Sequence, residues 1–326
     1  MLRSYRYFRR LFFIFFVLLA ACERQGNVLS IGFSYHNPDI VYVGGERGSF
    51  YKSTDGGNEF VKSETGTTYN IAAIGVNPML SSVIYVGSYG DSVHRSVDSG
   101  LTWNIASRGL DDNVGTQAVN AVVVDPKESR RIYIGTNHGV YVTTDGGSEW
   151  TSANTGMANR FVIALALHPE HSEIMVAGTN EGVFITTNAT KQWRRTAAAS
   201  KEWKVNTVKF DPMHPNTIYA GTNKGIFKST DLGHTWDARN NGIKSLFVSS
   251  ITFVPEDTMR AYAGNGDGVY KSTDGGSAWT LLENSPTSVL TVAVYPSKPE
   301  TLFAGTMKGL YKSSDAGAQW RHVKFK

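Results

Sequence analysis

Ser272-Thr273-Asp274-Gly275-Gly276, with Trp279 closing the phrase, decides the fold because the chain repeats it. Upstream stand Ser53-Thr54-Asp55-Gly56-Gly57 with Phe60, Ser96-Val97-Asp98-Ser99-Gly100 with Trp103, and Thr143-Thr144-Asp145-Gly146-Gly147 with Trp150. Thr186-Thr187-Asn188-Ala189-Thr190 with Trp193 and Ser229-Thr230-Asp231-Leu232-Gly233 with Trp236 follow, and Ser313-Ser314-Asp315-Ala316-Gly317 with Trp320 ends the series. Successive Asp (or Asn188) positions differ by 43, 47, 43, 43, 43 and 41 residues, so one structural unit recurs seven times.

Working outward from a phrase, each unit reads as four short strands. Val119 to Val124 is an apolar, β-branched run ending at Asp125-Pro126; Ile132-Tyr133-Ile134-Gly135 is a second run. Val140-Tyr141-Val142 follows the turn at Asn137-His138-Gly139, and a fourth strand starts at Trp150. The turns at Asn137, Asn180 and Asn223 place a glycine where a hairpin needs positive φ. Pro126, Pro169, Pro212, Pro255 and Pro296 stand just beyond the first strand, where a missing N–H is tolerated. Four antiparallel strands every 40 to 45 residues is the pattern of a propeller blade. The expected fold is therefore all-β: a seven-bladed β-propeller of four-stranded antiparallel blades over 28–326. Each blade is expected from one continuous segment, with Trp320 to Lys326 as the last outer strand. Ring closure then rests on face packing, without a strand exchanged across the seam.

The 326-residue chain begins differently. Arg3, Arg6, Arg9 and Arg10 precede the apolar run Leu11 to Leu19, and Ala20-Ala21 follow, the layout of a secretory signal over 1–21. The run is too short to favour a spanning helix, which needs about 20 residues. Without those four arginines, Lys plus Arg falls from 32 to 28 and equals the 28 acidic residues, so the basic balance belongs to the leader and gives no support to nucleic-acid binding. Cys22 is the only cysteine, and Leu19-Ala20-Ala21-Cys22 resembles the lipobox of bacterial lipoproteins. That resemblance implies cleavage before Cys22, a lipid on its thiol, a short linker over 22–27 and a periplasm-facing domain held at a membrane. Glu23, in place of an inner-membrane retention Asp, allows an outer-membrane destination. A mature domain without cysteine has no disulfides and is held by packing and hydrogen bonds.

The phrase S-x-D-x-G-x-x-W resembles the Asp-box (BNR) repeat of sialidases, sortilin-like receptors, some glucanases and the Ycf48/HCF136-like assembly factors of photosystem II. Six copies keep both Asp and Gly; the fourth has Asn188 and Thr190 instead, and the first has Phe60 for the Trp. Physically, a short carboxylate accepts bonds from turn amides and from the Ser or Thr hydroxyl, and Gly permits left-handed backbone. Asp55, Asp98, Asp145, Asn188, Asp231, Asp274 and Asp315 are therefore read as structural, one per blade and too far apart to share a metal.

Chemistry is harder to find. Six positions before each Pro stand Ala72, Asn120, Ile163, Asn206, Ser249 and Leu290, expected near the mouth of the central channel and none ionisable. A glycosidase needs two carboxylates about the scissile bond, and a sialidase adds an arginine cluster. Neither constellation is recognised, so no catalytic residue, metal site or cofactor is assigned; Asp111 and Asp112 are loop carboxylates able to reach inward. His168-Pro169-Glu170-His171 offers two nitrogen ligands without a third. Gly44-Gly45-Glu46-Arg47-Gly48 lacks the helix a phosphate loop requires. Six of the seven tryptophans occupy box positions, and Trp203 does not. With Tyr69, Arg160, Phe161, Lys204, Lys244 and Phe247 it forms a candidate rim on the inter-blade connections, suited to a protein or peptide partner. The resemblance to Ycf48-like factors implies a non-catalytic scaffold serving a membrane complex, although their arginine patch has no counterpart beyond Arg194-Arg195. The resemblance to sialidases and to xyloglucanases, which are usually built on two propellers, implies instead a carbohydrate-active enzyme or a glycan-binding protein.

Overall fold

The computed structural model describes residues 26–110, 114–196 and 201–326. Cys22, the leader, Asp111 and Asp112 lie outside the described residues. Seven four-stranded antiparallel sheets follow one another, each with its strands in chain order. The innermost strands are Val28–Phe33, Ile71–Val76, Val119–Val124, Val162–Leu167, Val205–Phe210, Val248–Val254 and Val289–Val294. The described residues contain one short helix, Val114–Gln117.

The second strand of each blade carries the packing. Ile132–Thr136, Met175–Thr179, Ile218–Thr222 and Leu302–Thr306 are buried at every position, because both faces of the sheet are covered by neighbouring blades. Apolar side chains collect into seven clusters, one per blade interface. A glycine in each second strand makes room for the next blade. A Cβ added at Gly87, Gly178, Gly264 or Gly305 would lie 2.6 Å from the leading valine of the following inner strand: Val119, Val205, Val289 and, across the seam, Val28.

The repeated turns join the third and fourth strands. In each, the Ser or Thr hydroxyl donates to the acidic residue (Ser53 to Asp55, 2.7 Å; Ser229 to Asp231, 2.8 Å; Thr186 to Asn188, 2.9 Å). The same side chain accepts backbone N–H groups from the end of the turn, such as Thr235 to Asp231 at 2.9 Å and Gln192 to Asn188 at 3.0 Å. The two residues after the acid are left-handed throughout, so Thr190, with φ of 65°, stands where the other six turns have glycine, and a β-branched side chain there is strained. The turns lie on the face of the first connections: Gly56, Gly146 and Gly275 donate to Asp39, Arg130 and Met259 of their own blades. The preceding blade receives them, with Tyr85 and Tyr219 hydroxyls donating to the Gly146 and Gly275 carbonyls (2.9 and 2.7 Å).

Outer strands are shorter than the sequence reading expected; five contain two residues. The Trp that opens three of these strands is held by the preceding blade and not by its own sheet. The Trp150, Trp193 and Trp279 amides donate to Arg108, Thr155 and Asn241 of the preceding blade. The indole N–H groups of Trp150 and Trp193 donate to Ala106 and Ala153 carbonyls (2.8 and 2.7 Å). The seam follows the same rule. No strand is exchanged, but the last outer strand is Arg321–Val323 and not the whole of Trp320 to Lys326. Phe325 and Lys326 pass instead to blade one, where Phe325 bridges Phe60 in parallel and Lys326 N–H donates to the Phe60 carbonyl at 3.0 Å.

Candidate functional site

All seven inner strands carry a β-bulge near their start, seen as a register shift that leaves one residue unpaired. The bulged residues are Leu29 and the six singled out from sequence: Ala72, Asn120, Ile163, Asn206, Ser249 and Leu290. A bulge re-aims its side chain, and here it turns these seven onto the wall of a central cavity of about 990 Å³. The polar members are engaged by the next blade. Asn120 Nδ2 donates to the Val162 carbonyl (2.8 Å), Asn206 Nδ2 to Val248 (2.9 Å) and Ser249 Oγ to Val289 (2.7 Å). Ser30, beside Leu29, does the same toward Ile71 at 3.0 Å. This ring braces adjacent blades where they approach most closely.

The candidate rim divides. Tyr69 and Phe247 are each half exposed, and Arg160, Lys204 and Lys244 are exposed. Phe161 is partly buried. Trp203 corrects the reading of an open rim: it is 8% exposed, stacked on Phe227 at 3.8 Å and edge-on to Trp236. Its ring closes the cluster between blades four and five, so its faces are not free for a partner. Sequence reasoning missed two rim members. Tyr89 is half exposed, lines the cavity, and sits beside Tyr69, since its N–H donates to Asn70 at 2.9 Å. Leu246 is exposed beside Phe247. The signal for Tyr89 was a bulky aromatic in a hairpin turn where other blades carry Asn137 or Asn180.

His168 is likewise structural. Its Nδ1 accepts the backbone N–H of Glu170 and of His171, both at 3.1 Å. Asn77, Asp125 and Asp211 hold the equivalent turns of other blades with a side-chain oxygen. Burial, then the neighbouring His171, pushes the His168 imidazole below its ordinary pKa, which keeps Nδ1 an acceptor. Among the described residues no group of three or more His, Cys, Asp or Glu is placed to hold a metal.

Fold and channel together define a seven-bladed β-propeller. No family model matches the chain, and no curated protein matches it. Among solved structures it resembles the GH74 xyloglucanase from Xanthomonas campestris (TM-score 0.76, 15% identity, covering 93% of this chain and 55% of that one). YCF48 from Cyanidioschyzon merolae gives a TM-score of 0.69 at 17% identity over 89% of this chain and 96% of that one. A structure of YCF48 bound to a D1 peptide gives 0.69 at 16%, over 89% and 94%. The chain spans about half the length of the GH74 enzymes it matches. At these identities the likeness is one of fold.

Proposed function

We propose that this chain is a non-catalytic binding scaffold held at the bacterial cell envelope by a lipid on Cys22. Facing the periplasm, it engages an extended protein or peptide segment and assists the assembly or stability of a membrane complex. In this reading the seven repeated turns are Asp-box turns with a structural role. The observation that carries the proposal is the exposed apolar set Tyr69, Tyr89, Leu246 and Phe247 on the face of the inter-blade connections. Large apolar groups left half in water on one face, with Lys244 on the connection of Leu246 and Phe247 and Arg160 on another connection of the same face, have the composition of a recognition surface. A YCF48 propeller of the same fold has been solved with a peptide bound, which supports a partner of this class.

The test is affinity isolation of the full-length lipoprotein from solubilised membranes, alongside a Tyr69→Ala/Phe247→Ala double variant of equal abundance. We expect a defined envelope complex to copurify with the parent and to fall at least about fivefold with the variant, as loss of two interface aromatics requires. An unchanged partner set would remove the rim from the mechanism. Retention on xyloglucan that depended on the same two rings would replace the protein partner with a glycan, the reading that the GH74 likeness favours.

A further inference from the structure

Among the described residues lining the central cavity, Lys209 is the one with a formal charge. It stands in the fifth inner strand opposite Tyr219. The residues at this level in the other blades, read from the same pairing, are Gly32, Gly75, Val123, Ala166, Thr252 and Ala293. All are short, so the cross-section is open where the four-carbon lysine stem reaches in. The side chain is exposed to the open channel and projects from a strand that faces it. Desolvation by the surrounding ring pushes its pKa down, with no neighbouring carboxylate to raise it again.

Three lysines on third strands show what a purely structural role looks like here. Lys52, Lys228 and Lys312 each donate to a carbonyl of the next blade's turn, namely Ser99, Gly275 and Gly56, at 3.0, 3.2 and 2.7 Å. Lys209 stands level with Lys228 across Tyr219, but on the innermost strand, and has no hydrogen bond or ion pair among the described residues. Its ammonium is left free to receive an anion that enters the channel. Around it the wall mixes apolar Ile31, Ile74 and Val122 with polar Asn206, Ser250 and Thr252. The volume falls within the range of small-molecule sites.

We infer that the central channel binds a single carboxylate carried on an apolar body, with Lys209 as its counter-ion. The carboxylate belongs either to a small organic acid or to the end of a peptide chain; both present the same chemistry to the lysine. The inference stands apart from the rim, which no part of it uses.

Titration calorimetry on the full chain in neutral detergent tests it. The probes are sodium benzoate and its neutral near-isostere benzamide, then acetyl-Ala-Leu-Ala-Val with a free carboxylate and the same peptide as its amide. We expect saturable one-to-one binding of at least one acid, with its neutral counterpart about tenfold weaker or more. Lys209→Met should show the same loss and Lys209→Arg should retain binding. Lys209 is exposed and makes no bond among the described residues, so the Met variant is expected to unfold within a few degrees of the parent, and folding does not confound the comparison; Lys209→Gln provides a second neutral variant. Benzoate alone would assign a small acid and the peptide acid alone a chain end. Equal affinity for acid and neutral probe, undiminished binding by Lys209→Met and Lys209→Gln, or no saturable binding of either acid would overturn the site. Loss of rim-dependent partner capture would leave this result untouched.

Discussion

At the scale of single residues, the repeated turn shows how little chemistry a recurring acid needs. Asp231 has a pKa lowered to about 2, first by the Thr235 N–H; partial burial opposes this, and the Thr235 and Ser229 hydroxyls reinforce it. A folded pKa below the unfolded value of about 3.9 stabilises the protein above pH 4, and that stability disappears as pH falls toward 2. Asp231→Asn is therefore expected to keep most neutral-pH stability, because Asn188 fills the same role, while flattening the decline between pH 4 and 2. Asp231→Ala strands the Thr235 N–H and is expected to cost about 1–2 kcal/mol. Urea unfolding at several pH values measures both. This role was legible in the sequence because the fourth repeat had already exchanged acid for amide. Trp203 was not. Nothing in Glu202-Trp203-Lys204 tells whether a ring lies on a surface or over a neighbour, since that depends on Phe227 and Trp236, brought in by the fold. Lys209 was missed for a different reason: the aligned position was three residues too early, and the charge interrupting Val208-Lys209-Phe210 passed unread.

At the scale of elements, strand count, order and turn placement were legible because each has a local cause: β-branched runs, Asn-x-Gly turns, and proline past the first strand. Bulges and outer-strand lengths were not, because both are set by the neighbouring blade. The second-strand glycine makes the distinction measurable. Read alone, Gly178 is a weak strand residue with a better alternative in alanine. In the ring, a Cβ there would stand 2.6 Å from Val205 and 3.2 Å from Val208, both fully buried. Gly178→Ala is accordingly expected to destabilise by about 1–3 kcal/mol through overpacking. A Gly178→Ala/Val205→Ala double variant restores space, so the two effects should be clearly non-additive in a denaturation cycle. Additive costs would mean that the glycine serves its own strand and not the interface.

At the scale of the whole molecule, a ring has one interface without chain continuity, and here the last two residues bridge it. Phe325 stacks on Tyr51 with centroids 4.1 Å apart and meets Phe60 edge-on, while Lys326 adds a backbone bond to Phe60 and an ion pair to Glu59 at 2.6 Å. The ion pair is exposed and contributes little; the aromatic contact stabilises the seam more. Lys312 holds the same seam from within, donating to Gly56 at 2.7 Å and to Asn58 at 3.0 Å. The sequence pointed to face packing at this junction, and the cluster of Val28, Val41, Phe303, Leu310 and Val323 supplies it. The tail clasp went unread because Trp320 to Lys326 was taken as one outer strand, and nothing in Lys324-Phe325-Lys326 marks where the chain leaves it. If the clasp closes the ring, its loss should act locally before it acts globally. Phe325→Ala is expected to cost about 1–3 kcal/mol, less than a fully buried phenylalanine because the ring is only partly enclosed. Hydrogen exchange should quicken first in Val41–Gly45 and Leu302–Thr306, the second strands flanking the seam, and last in Met175–Thr179 on the far side. The leading strand Val28–Phe33 should follow the seam strands closely, since Val28 sits against Gly305 and loses its cover when the first and last blades part. Uniform acceleration around all seven blades would instead mean that the ring opens as one cooperative body and that the tail merely adds to its total stability.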